Sequence, residues 1–194
     1  MTVQEPTAAE RTVARRAAEA RATVPNLELT SALALDAPAS DAELVRACAL
    51  ALAAHPRVNA AYRDGRFELY SRVNVGVVVA DEHTYVLPTV FDADRKSLAE
   101  LEDELEALVS QALGGELAAP AFTGATFTVW NAAPFGVASA SIPPVPPQAA
   151  ALAAGAPTNG TVTLTLACDH RILYGARAAR FLEDVRSRLD RGDP

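Results

Sequence analysis

Apolar positions along this chain follow two periods, one of about three and a half residues and one of two, and the breaks between them outline the elements. Residues 7–23 are rich in Ala and Arg and free of Gly and Pro, as a helix requires, and Pro25 closes the segment. Partial alternation over residues 27–35 predicts a strand. Ser40-Asp41-Ala42-Glu43 is a capping box, because the Ser hydroxyl and the Glu carboxylate can each satisfy an orphan N–H at a helix start, and the helix it opens runs to about Ala54, ahead of Pro56. Asp64-Gly65 predicts a hairpin turn joining residues 59–62 to residues 67–70. Residues 73–80 are almost continuously apolar, the mark of a central strand covered on both faces.

A second capping box, Ser97-Leu98-Ala99-Glu100, opens a helix whose Leu98, Leu101, Leu105 and Leu108 form one stripe as far as Gly114. A strand over residues 126–131 leads into a Pro- and Ser-rich stretch, residues 134–147, expected to be an ordered wall. Residues 149–155 should pair with residues 161–167 through an Asn159-Gly160 turn. Phe181, Leu182, Val185 and Leu189 then mark a last amphipathic helix, with Arg177, Arg180, Glu183, Arg186 and Arg188 mostly off its stripe. Helices packed on one mostly antiparallel mixed sheet make an α/β two-layer sandwich.

Composition narrows the class. At 194 residues the chain is expected to be a single domain, with residues 1–6 flexible. No apolar run approaches the ~20 residues of a membrane span, and the start lacks a basic region followed by an apolar core, so a soluble, cytoplasmic protein is expected, with no membrane partner. The net charge of −7 opposes nucleic-acid binding. Arg11, Arg15, Arg16 and Arg21 read as a solvated helix face before they read as an anion site. Cys48 and Cys168 have no paired spacing for zinc or a disulfide and are expected to be buried thiols, and no metal site is visible. Of the histidines, His55 reads as a surface or capping residue at a helix end and His83 as a solvated turn residue.

The charged triplet Asp169-His170-Arg171 is different, because it sits between a buried strand and a helix, where ionisable groups are costly unless they pair, bond or react. Cys168 and His170 are two apart and would share a strand face, though so short a spacing seldom gives a hydrogen-bonded pair. The triplet and the Gly175 that follows resemble the Asp-His-Arg-x-x-Asp/Asn-Gly signature of the catalytic domain of the dihydrolipoamide acyltransferases, the E2 components of 2-oxoacid dehydrogenase complexes, which share a fold with chloramphenicol acetyltransferase. Further segments are similar in the same order: Pro56-Arg57-Val58-Asn59-Ala60, Leu87-Pro88-Thr89-Val90-Phe91-Asp92-Ala93-Asp94, Gly124 to Asn131, Phe135-Gly136 and Pro146-Pro147-Gln148.

This resemblance implies a homotrimer, or a multiple of three, with the site between subunits, a small-molecule substrate, CoA or acyl-CoA as co-substrate and no tightly bound cofactor. His170 would be the general base that takes the proton of a thiol, a task suited to imidazole because it titrates near neutrality. Asp169 and Arg171 would be a structural ion pair, and Gly175 would permit the tight turn into the helix. The chain is similar to the catalytic core alone, without lipoyl or subunit-binding domains.

Two positions depart from the pattern. Tyr174 stands where the family has Asp or Asn, and Trp130, beside Asn131, stands where it has the Ser or Thr hydroxyl thought to stabilise the oxyanion. Thr128, Ser139, Ser141 or the Tyr174 hydroxyl are the candidate replacements, and the sequence does not choose among them. A stand-alone acyltransferase-fold enzyme acting on an acyl thioester or a related small carbonyl substrate is the first reading. A non-catalytic trimer that kept the fold as an assembly or binding module is its rival.

Overall fold

The computed structural model describes residues 5–80 and 85–192. Along the chain come α1 (Ala8–Thr23), β1 (Asn26–Ala34), α2 (Asp41–Ala54), β2 (Ala60–Arg63), β3 (Arg66–Leu69), β4 (Val75–Val77), β5 (Val79–Ala80), β6 (Tyr85–Val86), β7 (Thr89–Val90), α3 (Leu98–Leu113), β8 (Phe127–Asn131), β9 (Ala150–Ala154), β10 (Thr161–Asp169) and α4 (Gly175–Arg191). Six of these strands form one mixed sheet in the order β1-β10-β9-β8-β4-β7, parallel between β9, β8 and β4 and antiparallel elsewhere. This is the α/β sandwich that the hydrophobic pattern predicts.

One face of the sheet carries the core. Phe127, Val129, Leu152, Leu164, Leu166 and Cys168 point into it and meet Leu44, Cys48 and Leu52 of α2, Leu101 and Leu105 of α3, and Phe181 and Val185 of α4. The alternate residues of the same strands turn to the other face, where Trp130, Ala151 and Ala153 pack with Val78 and Ile142. Residues 117–168 contain no charged side chain, and they supply β8, β9 and nearly all of β10, the interior of the sheet. Helix α1 stands apart from the helical layer. Of its described side chains only Ala20 is buried, and across from it lie Tyr85, Leu87 and Ile142, around a cavity of about 540 Å³.

Both expected capping boxes form, and a third, Thr7 with Glu10, opens α1. Asp64 and Gly65 both take positive φ, as a two-residue turn between β2 and β3 demands. The apolar run over residues 73–80 is not one central strand. It gives β4 to the main sheet and β5 to a separate pair with β6, the break falling at Val78, whose N–H still donates to the Val129 carbonyl of the strand beside β4. Residues 134–147 form an ordered wall that crosses Gly155 so closely that a β-carbon there would lie 2.1 Å from the Ala138 carbonyl oxygen. His83 and residues 1–4 of the segment expected to be flexible lie outside the described residues. Among the described residues, no helix is long and apolar enough to cross a membrane.

Candidate active site

Strand β10 ends at Asp169, and the three residues after it turn the chain toward α4. Asp169 is 2% exposed and its carboxylate is fully used: Arg171 donates to it through its backbone N–H at 3.0 Å and through Nε and Nη2 at 2.9 and 2.6 Å. The guanidinium also lies over the Tyr62 ring of the β2-β3 hairpin, 4.8 Å from its centroid. Hydrogen bonding to Asp169 holds Arg171 above its ordinary pKa. This is the structural ion pair the sequence suggested. It fixes the turn from both sides of His170.

His170 itself is exposed, and its backbone N–H donates to the Pro25 carbonyl at 2.8 Å, tying the turn to the start of β1. Its ring Nδ1 lies 3.1 Å from the Leu173 carbonyl oxygen. A carbonyl oxygen only accepts, so in the neutral ring this contact assigns the proton to Nδ1 and leaves the lone pair on Nε2. Such a histidine is oriented to accept a proton. The Tyr174 ring stands edge-on to it, with centroids 5.9 Å apart and planes at 81°. Tyr174 is the N-cap residue of α4 and makes no side-chain cap hydrogen bond.

Several expectations need correcting. Gly175 is not required by the turn, since it has no positive φ and a β-carbon there would meet nothing within 4 Å. Thr128 is fully buried and its hydroxyl donates to Gln148 Oε1 at 2.7 Å, which removes it as an oxyanion donor. The Ser141 hydroxyl donates to Glu28 at 2.6 Å. Asn131 spans β8 and α2, donating to Asp41 Oδ1 at 2.8 Å and accepting from the Ala133 N–H, so its role is to position the strand end. Ser139 lies on the wall segment that crosses Gly155, at the far end of the sheet from His170.

Trp130 is at that far end too. Pairing across the sheet puts it level with Ala153 and Thr165, two strands over and five residues back from His170, a separation on the order of 20 Å within one chain. Its indole packs against Val78, Ile142, Ala151 and Ala153, and its N–H is buried without a hydrogen-bond partner. His55 is the C-cap of α2, one of the two roles expected of it, and in addition its Nε2 sits 3.3 Å from Asp184 and its ring is edge-on to Phe181. Both cysteines are buried, and desolvation pushes the Cys168 thiol up to about 12 and Cys48 higher still, so neither is a nucleophile and Cys168 forms no pair with His170. Sequence reasoning missed Pro25, Tyr62 and Leu173. The Pro25 and Leu173 contacts are made by backbone carbonyls, which leave no residue-type signal.

A central mixed sheet, helices layered on one face and a histidine at the end of the strand before the last helix define the chloramphenicol acetyltransferase class of fold; a chloramphenicol acetyltransferase superposes with a TM-score of 0.57 over 90% of this chain and 94% of its own, at 13% identity. Within that class the chain belongs to the 2-oxoacid dehydrogenases acyltransferase (catalytic domain) family, whose model matches residues 3–193. Component 3 of the mitochondrial pyruvate dehydrogenase complex dihydrolipoyllysine-residue acetyltransferase of Arabidopsis thaliana is 35% identical over 76% of this chain and 30% of its own length. The chain thus spans about a third of that relative. A probable dihydrolipoamide acetyltransferase from Listeria monocytogenes has the same fold, with a TM-score of 0.92 at 20% identity, covering 98% of this chain and 95% of its own. So does the dihydrolipoamide acetyltransferase of Azotobacter vinelandii, whose catalytic mechanism has been investigated through a serine, a histidine and an asparagine, with a TM-score of 0.90 at 22% identity over 98% of this chain and 92% of its own.

Proposed function

We propose that this chain transfers an acyl group between thiols, with CoA or acyl-CoA as one partner and His170 as general base. The observation that carries the reading is the contact between Nδ1 of His170 and the Leu173 carbonyl, which in the neutral ring leaves Nε2 as the acceptor of an exposed residue. The imidazole takes the thiol proton, the thiolate attacks the thioester carbonyl carbon, and the imidazolium returns the proton to the departing thiolate. No cofactor needs to stay bound through this cycle.

The site is proposed to form between subunits of a homotrimer. His170 and Trp130 lie far apart in one chain, whereas the family pattern uses both positions at one site, and a neighbouring copy supplies the missing side. One observation favours a non-catalytic module instead: Trp130 replaces a small hydroxyl residue with an indole whose N–H is sealed in its own subunit. Incubating the protein with a series of acyl-CoA thioesters and small thiols, and quantifying new thioester by mass spectrometry, separates the two. Turnover supports the enzyme. A complete lack of turnover, together with no rise in melting temperature on adding CoA, supports the module.

A further inference from the structure

Four hydroxyls compete in the sequence for the donor role that Trp130 has lost, and the structure leaves one of them beside His170. Thr128 is buried and committed to Gln148, and Ser141 is committed to Glu28. Ser139 lies at the same end of the sheet as Trp130, opposite His170, so it reaches a site at His170 only from a neighbouring copy. The Trp130 N–H is closed off beneath its own subunit's Val78 and Ile142. Tyr174 stands four residues after His170, with its ring edge-on to the imidazole and 62% of its surface exposed.

Nothing in the fold explains a tyrosine there. It occupies the N-cap of a 17-residue helix, a position where Asp, Asn, Ser or Thr would hold a first-turn N–H, and it makes no such bond. Its phenol packs into neither hydrophobic cluster. A large aromatic held in solvent against the face of the proposed base serves whatever binds at that base.

We propose that the Tyr174 hydroxyl is the oxyanion donor of this site, replacing from the histidine's own subunit the hydroxyl absent at position 130; this rests on the acyl-transfer reading. In the step it serves, the thiol gives its proton to Nε2 of His170 and its sulfur bonds to the thioester carbonyl carbon. The carbonyl π pair moves onto oxygen, and that oxyanion accepts a hydrogen bond from the Tyr174 O–H, which keeps its proton. Collapse of the tetrahedral species breaks the original C–S bond, and the departing thiolate takes the proton back from the imidazolium. Acyl group and proton are both conserved, and no oxidant or reductant is needed. The donor is thereby moved from the far side of a subunit junction to the residue that starts α4.

Tyr174→Phe tests this, because it removes the hydroxyl and keeps the ring against His170. With the acyl-CoA and thiol pair turned over best by the native protein, kcat should fall by about 10²–10³ with KM little changed and the melting temperature kept. Ser139→Ala should leave kcat unaltered. Trp130→Ser in the Tyr174→Phe background should recover part of the loss, by returning a hydroxyl at position 130. Native-like turnover by Tyr174→Phe overturns the assignment and leaves the acyl-transfer reading standing, as does a loss in Ser139→Ala alone. A native protein inactive toward every thioester removes both.

Discussion

At the residue scale, the proposed chemistry rests on a rigid ion pair and an oriented ring. Asp169 is nearly inaccessible and Arg171 is its principal partner, so Arg171→Ala strands a buried carboxylate. Because the Arg171 side chain is 36% exposed, the cost is set below that of a fully buried pair, at about 2–3 kcal/mol, readable as a lowered midpoint in urea unfolding. Trp130 carries a second expectation. If the proposed site lies beside Trp130 of a neighbouring copy, an indole in place of a small hydroxyl residue narrows the route for a long thiol arm, and the native protein should turn over acetyl-CoA with dihydrolipoamide poorly. Trp130→Ser with Tyr174→Asp should raise that rate to a measurable trace, since space and a hydroxyl return together. Robust transfer by the native protein would refute the narrowing. His170 was legible from the sequence because a charged triplet stands between a buried strand and a helix. Its tautomer was not, since a main-chain oxygen sets it.

At the element scale, capping boxes, hairpin turns and helical stripes were legible because each depends on residues close in sequence. The fate of residues 73–80 was not. A buried apolar run reads the same whether it forms one strand or two, and the split shows only in the partners, β4 lying between β7 and β8 while β5 pairs with β6. Two glycines, one at each end of the sheet, give a contrasting pair. Gly155 lets the wall segment pass, and a β-carbon 2.1 Å from the Ala138 carbonyl forces backbone to move, so Gly155→Ala should cost about 1–3 kcal/mol or more. Gly175 faces open space with ordinary φ, and Gly175→Ala should keep or slightly raise stability. Thermal unfolding of both variants checks the pair. Equal melting temperatures would contradict the close approach at Gly155.

At the scale of the whole molecule, the mixed sheet with helices on one face and the family were legible from pattern and motif together, while the order of strands was not. The distance between His170 and Trp130 was not, because motif order along a chain says nothing about which subunit's copy completes a site. That distance, with α1 standing clear of the helical layer, leads to the expectation of a trimer or a multiple of three by light scattering; a clean monomer or dimer would remove the shared site. The central claim, that His170 is the proton acceptor for acyl transfer, is tested most directly by the rate of thioester formation in His170→Ala beside the native protein. The account predicts an intact, equally assembled variant whose rate falls by about 10²–10⁴. An assembled variant as fast as the native protein would contradict it.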